Sequence, residues 1–250
     1  MLHQLVLLVG FAIFGLGAGL GCGSGSCDYA RQACGPGQVC ARVDEQRTEC
    51  VQSDEIDLPL RAPFVDGHAF GCSQGPKSAM GRTHSFRHDV FAIDLASRST
   101  EAGVVVAPMD GEAFVFDGCE ERDDRVEAKN DSRCGLGYGN HVKIWDGQTM
   151  VLVAHLAKVT IKDGVVRAGQ PVGIEGVSGA AGSRHVHVSV TRPAKSDDVR
   201  KILNTPGWLG RVPVKFRLTV REREGAAVIV RGAEDIGCSD DAAARTQYWP

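Results

Sequence analysis

Basic residues are not in surplus in this chain. Its 28 lysines and arginines stand against 31 acids, for a formal net charge of -3. A protein that grips nucleic acid by its phosphates needs a basic surplus, so that partner class is excluded. Close cysteine pairs are also missing: the nine cysteines, at 22, 27, 34, 40, 50, 72, 119, 134 and 238, include no CxxC. Thiolate zinc sites are built on such pairs, so the cysteines read as structural. The polar stretch "CEERDDRVEAKNDSRC" (119–134) lacks the DxDxDG spacing of a calcium loop. A disulfide joining its two ends is the simpler reading. Long helical patterns, internal repeats and low-complexity tracts are absent as well.

Charge is missing from one place in particular. "LVLLVGFAIFGLGAGL", residues 5–20, contains no ionisable side chain. It is shorter than the roughly 20 residues of a spanning helix, and residues 1–21 read as a secretory signal. The "MLHQ" ahead of it carries no Lys or Arg, which keeps an uncleaved anchor as the competing reading. Cys22 follows directly in "AGLGC", which resembles a bacterial lipoprotein signal with Gly19 where Leu is usual. Lipid on Cys22 would anchor the chain to a membrane and leave eight cysteines, enough for four disulfides. Disulfides persist in oxidising compartments, so the expected location is the bacterial cell envelope (periplasm or lipid-anchored) or the exterior.

What is present is a turn-rich β pattern with 31 glycines and 43% hydrophobic residues. Residues 22–50 form a Cys-rich module too small to bury a core of its own. Its four cysteines at 27, 34, 40 and 50 imply two disulfides whose pairing the spacing leaves open. Residues 51–71 read as a linker. From Cys72 onward come short strands broken by turns: "VFAIDLA", then two strands around "MDG", then "GNHVKIWDGQTMVLVAHL" folded at its "DG". The expected fold is mainly β, an antiparallel sandwich or barrel-like hybrid, over residues 72–192. Residues 193–250 form a C-terminal β extension, with Cys238 placed to tie it back to Cys72.

"GSRHVHVSV" (182–190) is the stretch that points to chemistry. In a strand, i and i+2 share a face, so His185 and His187 project together, away from Val186, Val188 and Val190. Paired imidazoles suit zinc, which takes His nitrogen and carboxylate oxygen and, in catalytic sites, keeps one position open for water.

In chain order the sequence carries "GRTHSFRHDVFAIDLA", "GVVVAPMDGEAFVF", "GNHVKI", "VLVAHLAKV" and "VRAGQPVGIEGVSGAAGSRHVHVSV". This ordered set, over roughly residues 72–191, resembles the lysostaphin-type (LytM-type) zinc metallopeptidases that cut peptidoglycan peptides. The resemblance implies Zn2+ held by His84, Asp94 and His187, with His155 and His185 acting in catalysis. His88 is the alternative to His84, since the His-to-Asp interval is often shorter in that family, and Asp89 is the alternative to Asp94. His141 reads as structural or groove-lining, and His68 as incidental. The implied function is an exported zinc metalloendopeptidase acting on peptidoglycan cross-links. The alternatives are a non-catalytic relative serving as a regulator or wall-binding module, and a secreted zinc peptidase acting on proteins.

Overall fold

The structure is a computed structural model describing residues 26–27, 34–44, 46–56, 59–76, 84–120, 131–239, 241 and 243–250. The expected signal segment and Cys22 lie outside the described residues. Among the described residues, no helix is long and apolar enough to cross a membrane.

The fold is mainly β, as expected, and its principal sheet is antiparallel along its length. The strands run in the order Gly164–Val166, Gly111–Phe116, Asn140–Trp145, Met150–Val159, Val186–Arg192, Ile93–Ser97, Phe70–Gln74 and Gln247–Tyr248. Period-two alternation explains its central strands. Val151 and Val153 on Met150–Val159, and Val186, Val188 and Val190 on its partner, pack into one core with Ile93, Leu95, Phe64 and Phe70. The "DG" turn is built by Asp146, whose carboxylate accepts from the backbone N–H groups of Gln148 and Thr149 at 2.8 and 2.6 Å. Gly147 takes a φ of +98° there, a backbone region that favours glycine.

The opposite face of the sheet is closed by the helix Val199–Asn204. Ile202 and Leu203 pack on Met150, and Asp198 caps the helix through the Lys201 N–H. Buried Lys143 reaches the other end, donating to the carbonyls of Ile202 and Thr205 at 2.6 and 2.8 Å. A cation at a helix C-terminus satisfies carbonyls that the helix itself leaves unpaired. Burial lowers the Lys143 pKa to about 8.

Residues 51–71 are more than a connecting strap. Asp54–Glu55 pairs in parallel with Val214 and Lys215, and Leu60–Arg61 with Leu218 and Thr219. Leu60, Ala62, Phe64 and Phe70 are buried. The prolines in "LPLRAPF" mask these strands, and their partners lie far along the chain.

Among the described residues there are four disulfides: Cys27–Cys40, Cys34–Cys50, Cys72–Cys238 and Cys119–Cys134. The last two close the polar loop and the C-terminal tail as expected. The first two tie Cys27 and Cys34 to the two strands of a hairpin, Gln38–Arg42 paired with Thr48–Gln52.

Candidate metal centre

Asp94 and His187 are direct cross-strand partners on Ile93–Ser97 and Val186–Arg192. Sheet register therefore delivers a carboxylate and an imidazole to one spot. His155 reaches it differently. Its strand slips register between Val153 and Leu156, and His155 itself has a φ of +63°. Such a bulge re-aims a side chain. His84 comes from the loop before Ile93–Ser97, at a φ of +53°. Among the described residues, His84, His155 and Leu136 are the non-glycine residues with positive φ, and all three line one groove of about 650 Å³. Strained backbone of this kind persists where the surroundings enforce it.

Local packing fixes the ring orientations. A carbonyl only accepts, so each ring nitrogen bonded to one carries the proton. His84 Nδ1 donates to the Gly75 carbonyl at 3.1 Å, His155 Nδ1 to Ser178 at 2.9 Å, and His185 Nδ1 to Ser183 at 2.7 Å. In its neutral form such a ring offers its Nε2 lone pair. The Ser178 carbonyl is held in place by backbone-on-backbone packing. Gly139, at φ +63°, leaves room where a Cβ would stand 2.3 Å from Ser178 Oγ.

His187 is the inverse case. Its Nε2 faces Asp89 Oδ1 at 3.3 Å and its Nδ1 faces Asp94 Oδ1 at 2.9 Å. His84 Nε2 lies 3.1 Å from that same Asp94 oxygen. His84, Asp94 and His187 thus bring one ligand-type atom each to within 4.8 Å of the others, all from buried side chains. Ligands held about 2.0–2.1 Å from a tetrahedral zinc stand about 3.3 Å apart. The lone pair of a neutral His84 pointing at a carboxylate is repulsive unless a cation sits between them. The donor set fits zinc on both counts.

The electrostatics agree. Burial alone would raise the Asp94 pKa, but His185, His84 and His187 hold it well below the ordinary carboxylate range. Asp89 is likewise lowered despite burial, through His88 and His187. Burial opposes charge on His187, yet its hydrogen bonds to Asp89 and Asp94 raise its pKa to about 10. Two buried carboxylates around one imidazole therefore favour a positive charge between them. His155 goes the other way, lowered to about 3 by burial and by the neighbouring imidazoles, so it stays neutral.

The structure gathers all five residues singled out in the sequence: His84, Asp94, His155, His185 and His187. The rings of His155 and His185 lie 4.7 Å apart, and His185 Nε2 is 3.6 Å from Asp94 Oδ2. His88 stands outside the cluster, stacked on Phe86 and 3.5 Å from Asp89. Asp89 sits behind His187 and faces its far nitrogen. His141 is fully buried and structural: Nδ1 donates to Gly139 and Nε2 accepts from the Gly207 N–H. His68 pairs with Ser97 Oγ at 2.7 Å.

Sequence reasoning missed Tyr138. Its hydroxyl donates to Asp89, 2.8 Å from both carboxylate oxygens. Burial and the Asp89 charge raise its pKa well above the usual phenol value, so it remains a donor. The only signal was its place in "GYGN", which gave no role.

Fold and site together define a mainly antiparallel β protein with a buried two-histidine, one-aspartate centre and two further imidazoles at its edge. No family model and no curated protein matches this sequence. Among solved structures, the chain is similar to the catalytic domain of the antimicrobial peptidase lysostaphin from Staphylococcus simulans. That match has 20% identity over 53% of this chain and 84% of that one, with a TM-score of 0.33. It is also similar to the M23 metalloprotease pseudoalterin from the deep sea, at 12% identity over 78% and 98% and a TM-score of 0.41. A third is a variant catalytic domain of the prophage-encoded M23 protein EnpA from Enterococcus faecalis. There the figures are 21% identity, 58% and 91%, and a TM-score of 0.34.

Proposed function

We propose that this chain is an exported zinc metalloendopeptidase that hydrolyses peptide bonds in peptidoglycan cross-links. One observation carries the reading: three convergent donors, His84, Asp94 and His187, share a groove with His155 and His185. The peptidoglycan substrate class rests on the ordered sequence motifs, and export on the four disulfides and the signal-like residues 1–21.

His84, Asp94 and His187 would hold the metal. When bound, zinc lowers the pKa of a water and polarises the scissile carbonyl. His155, kept neutral by burial, offers an Nε2 lone pair to take up a proton. The proton taken up is the one handed on to the departing amine, and His185 stands across from His155 with its own Nε2 beside the same site. Asp89 receives the His187 Nε2 proton and so keeps Nδ1 directed at the metal position. The groove is lined by Phe86, Tyr138 and Leu136, which gives an extended peptide an apolar wall beside the reacting bond.

The test is zinc content together with release of new peptide ends from purified peptidoglycan, on the parent and on His187→Ala. Stoichiometric zinc and cleavage in the parent, both lost in the variant, are the expected results. A folded parent with neither zinc nor cleavage would overturn the reading.

A further inference from the structure

The Cys-rich hairpin docks against the loop that carries His84 and Asp89. The Arg42 N–H donates to the Ser85 carbonyl at 2.7 Å, and the Arg42 carbonyl accepts from the Arg87 N–H at 3.0 Å. These bonds make a parallel bridge between Arg42 and Phe86. Val39 and Ala41 are buried together with Val90 and Phe91, forming a small core separate from the main one. The Arg42 guanidinium lies 5.2 Å from the centre of the Phe86 ring.

From these contacts we infer that the hairpin is a clamp built into the metal centre, holding residues 84–91 so that His84 and Asp89 meet His187. The inference rests on the metal-site reading above. Among the described residues, the loop's own backbone bonds include only short-range turns, Asp89 N–H to Phe86 and Ala92 N–H to Asp89. Turns of that length do not fix a residue at positive φ, and His84 is one. The bridge to Arg42 supplies two long-range bonds beside His84, and the Val39–Phe91 packing anchors the far end of the loop. A hairpin this small has no independent core. Its two disulfides bond one residue on each strand, Cys40 and Cys50, to Cys27 and Cys34 ahead of the hairpin. The module is thereby a positioning element for two residues of the site, distinct from a stalk or an independent binding domain.

The test uses the full chain and zinc ions alone. Val39→Asp places a charge in the buried contact and leaves the four cysteines of the module in place. Arg42→Ala removes the guanidinium that lies over Phe86 and leaves the backbone bridge. Val165→Asp, at an exposed edge position, serves as the control. Zinc affinity is read by chelator competition, and amide hydrogen exchange is followed by mass spectrometry. The clamp predicts about tenfold or greater weakening of zinc binding in Val39→Asp, the scale seen when support behind a ligand is removed. Exchange should quicken across 84–92 while 150–159 and 186–192 stay protected. Arg42→Ala should move both readouts in the same direction by a smaller factor, and the control should move neither. Unchanged exchange at 84–92, or faster exchange there with zinc affinity within twofold of the parent, would overturn the clamp. If Val39→Asp lost protection throughout the sheet, Arg42→Ala would decide, with no change in either readout overturning it. A parent that binds no zinc would defeat the proposed function, while exchange at 84–92 would still test the clamp.

Discussion

Asp89→Asn isolates the carboxylate behind the metal centre, because it changes chemistry at nearly constant volume. Asp89 accepts from Tyr138 Oη, 2.8 Å from both its oxygens, and faces His187 Nε2 at 3.3 Å. An amide offers one acceptor oxygen and one NH2 that only donates. With Asn at 89, the Oδ1 that both the phenol and the imidazole face can still accept, but its negative charge is lost. His187 Nδ1 is the atom aimed at Asp94 and at the metal position, so a bound metal needs the ring's one remaining proton at Nε2, where the Asp89 charge favours it. Losing a carboxylate behind a histidine ligand costs about 10–100-fold in metal affinity, or about 1.4–2.8 kcal/mol. The assay is chelator competition for zinc at pH 7, with circular dichroism to show that the variant is folded. A folded variant whose zinc affinity lies within twofold of the parent would refute the role of Asp89. Tyr138→Phe removes one donor to the same carboxylate and should weaken zinc binding by a few-fold only.

Three further outcomes follow from the same geometry. His155→Ala should keep its zinc, because His155 is no ligand in this arrangement, yet lose about 10²–10⁴ in peptide hydrolysis; zinc lost in parallel with activity would place it among the ligands. The metal-free chain should lose stability as pH rises. The His187 pKa is raised from 6.5 to about 10, so its contribution is complete below about 6.5 and disappears as pH climbs through about 10. Melting midpoints in a chelator from pH 6 to 10 should fall, and His187→Gln should flatten the trend; a flat parent curve would contradict the ring's double pairing. Lys143→Met should destabilise by about 1–3 kcal/mol in urea unfolding, since it leaves buried carbonyls at the end of Val199–Asn204 without their donor; an unchanged midpoint would mean that solvent replaces it.

How much of this was legible in the sequence depends on whether a feature is local. The period of two placed His185 and His187 on one face, and the valines between them in the core, because alternation is a property of neighbouring residues. The "DG" and "MDG" turns were readable for the same reason. Residues 51–71 were read as a linker because their strands are two residues long, broken by prolines, and paired in parallel with Val212–Lys215 and Arg217–Val220. Neither pattern nor turn chemistry reports a partner so distant.

The same limit shaped the reading of the site. Asp94 and His187 were placed together only through resemblance to a family, and in the structure they are cross-strand partners 93 positions apart. Asp89 was weighed as a substitute for Asp94, yet it stands behind His187 with Tyr138, 49 residues away, as its donor. A motif marks residues that touch a reacting group and leaves out those that orient them, because an orienting contact can come from any element that packs nearby. The Cys-rich hairpin extends that logic from a residue to a module. Its cysteines announced a stapled unit, but the consequence of the staple lies in the Arg42–Phe86 bridge, where two backbone hydrogen bonds join segments that share no pattern. The proposed reacting groups are thus marked by local motifs, while the contacts that bring them together join distant parts of the chain.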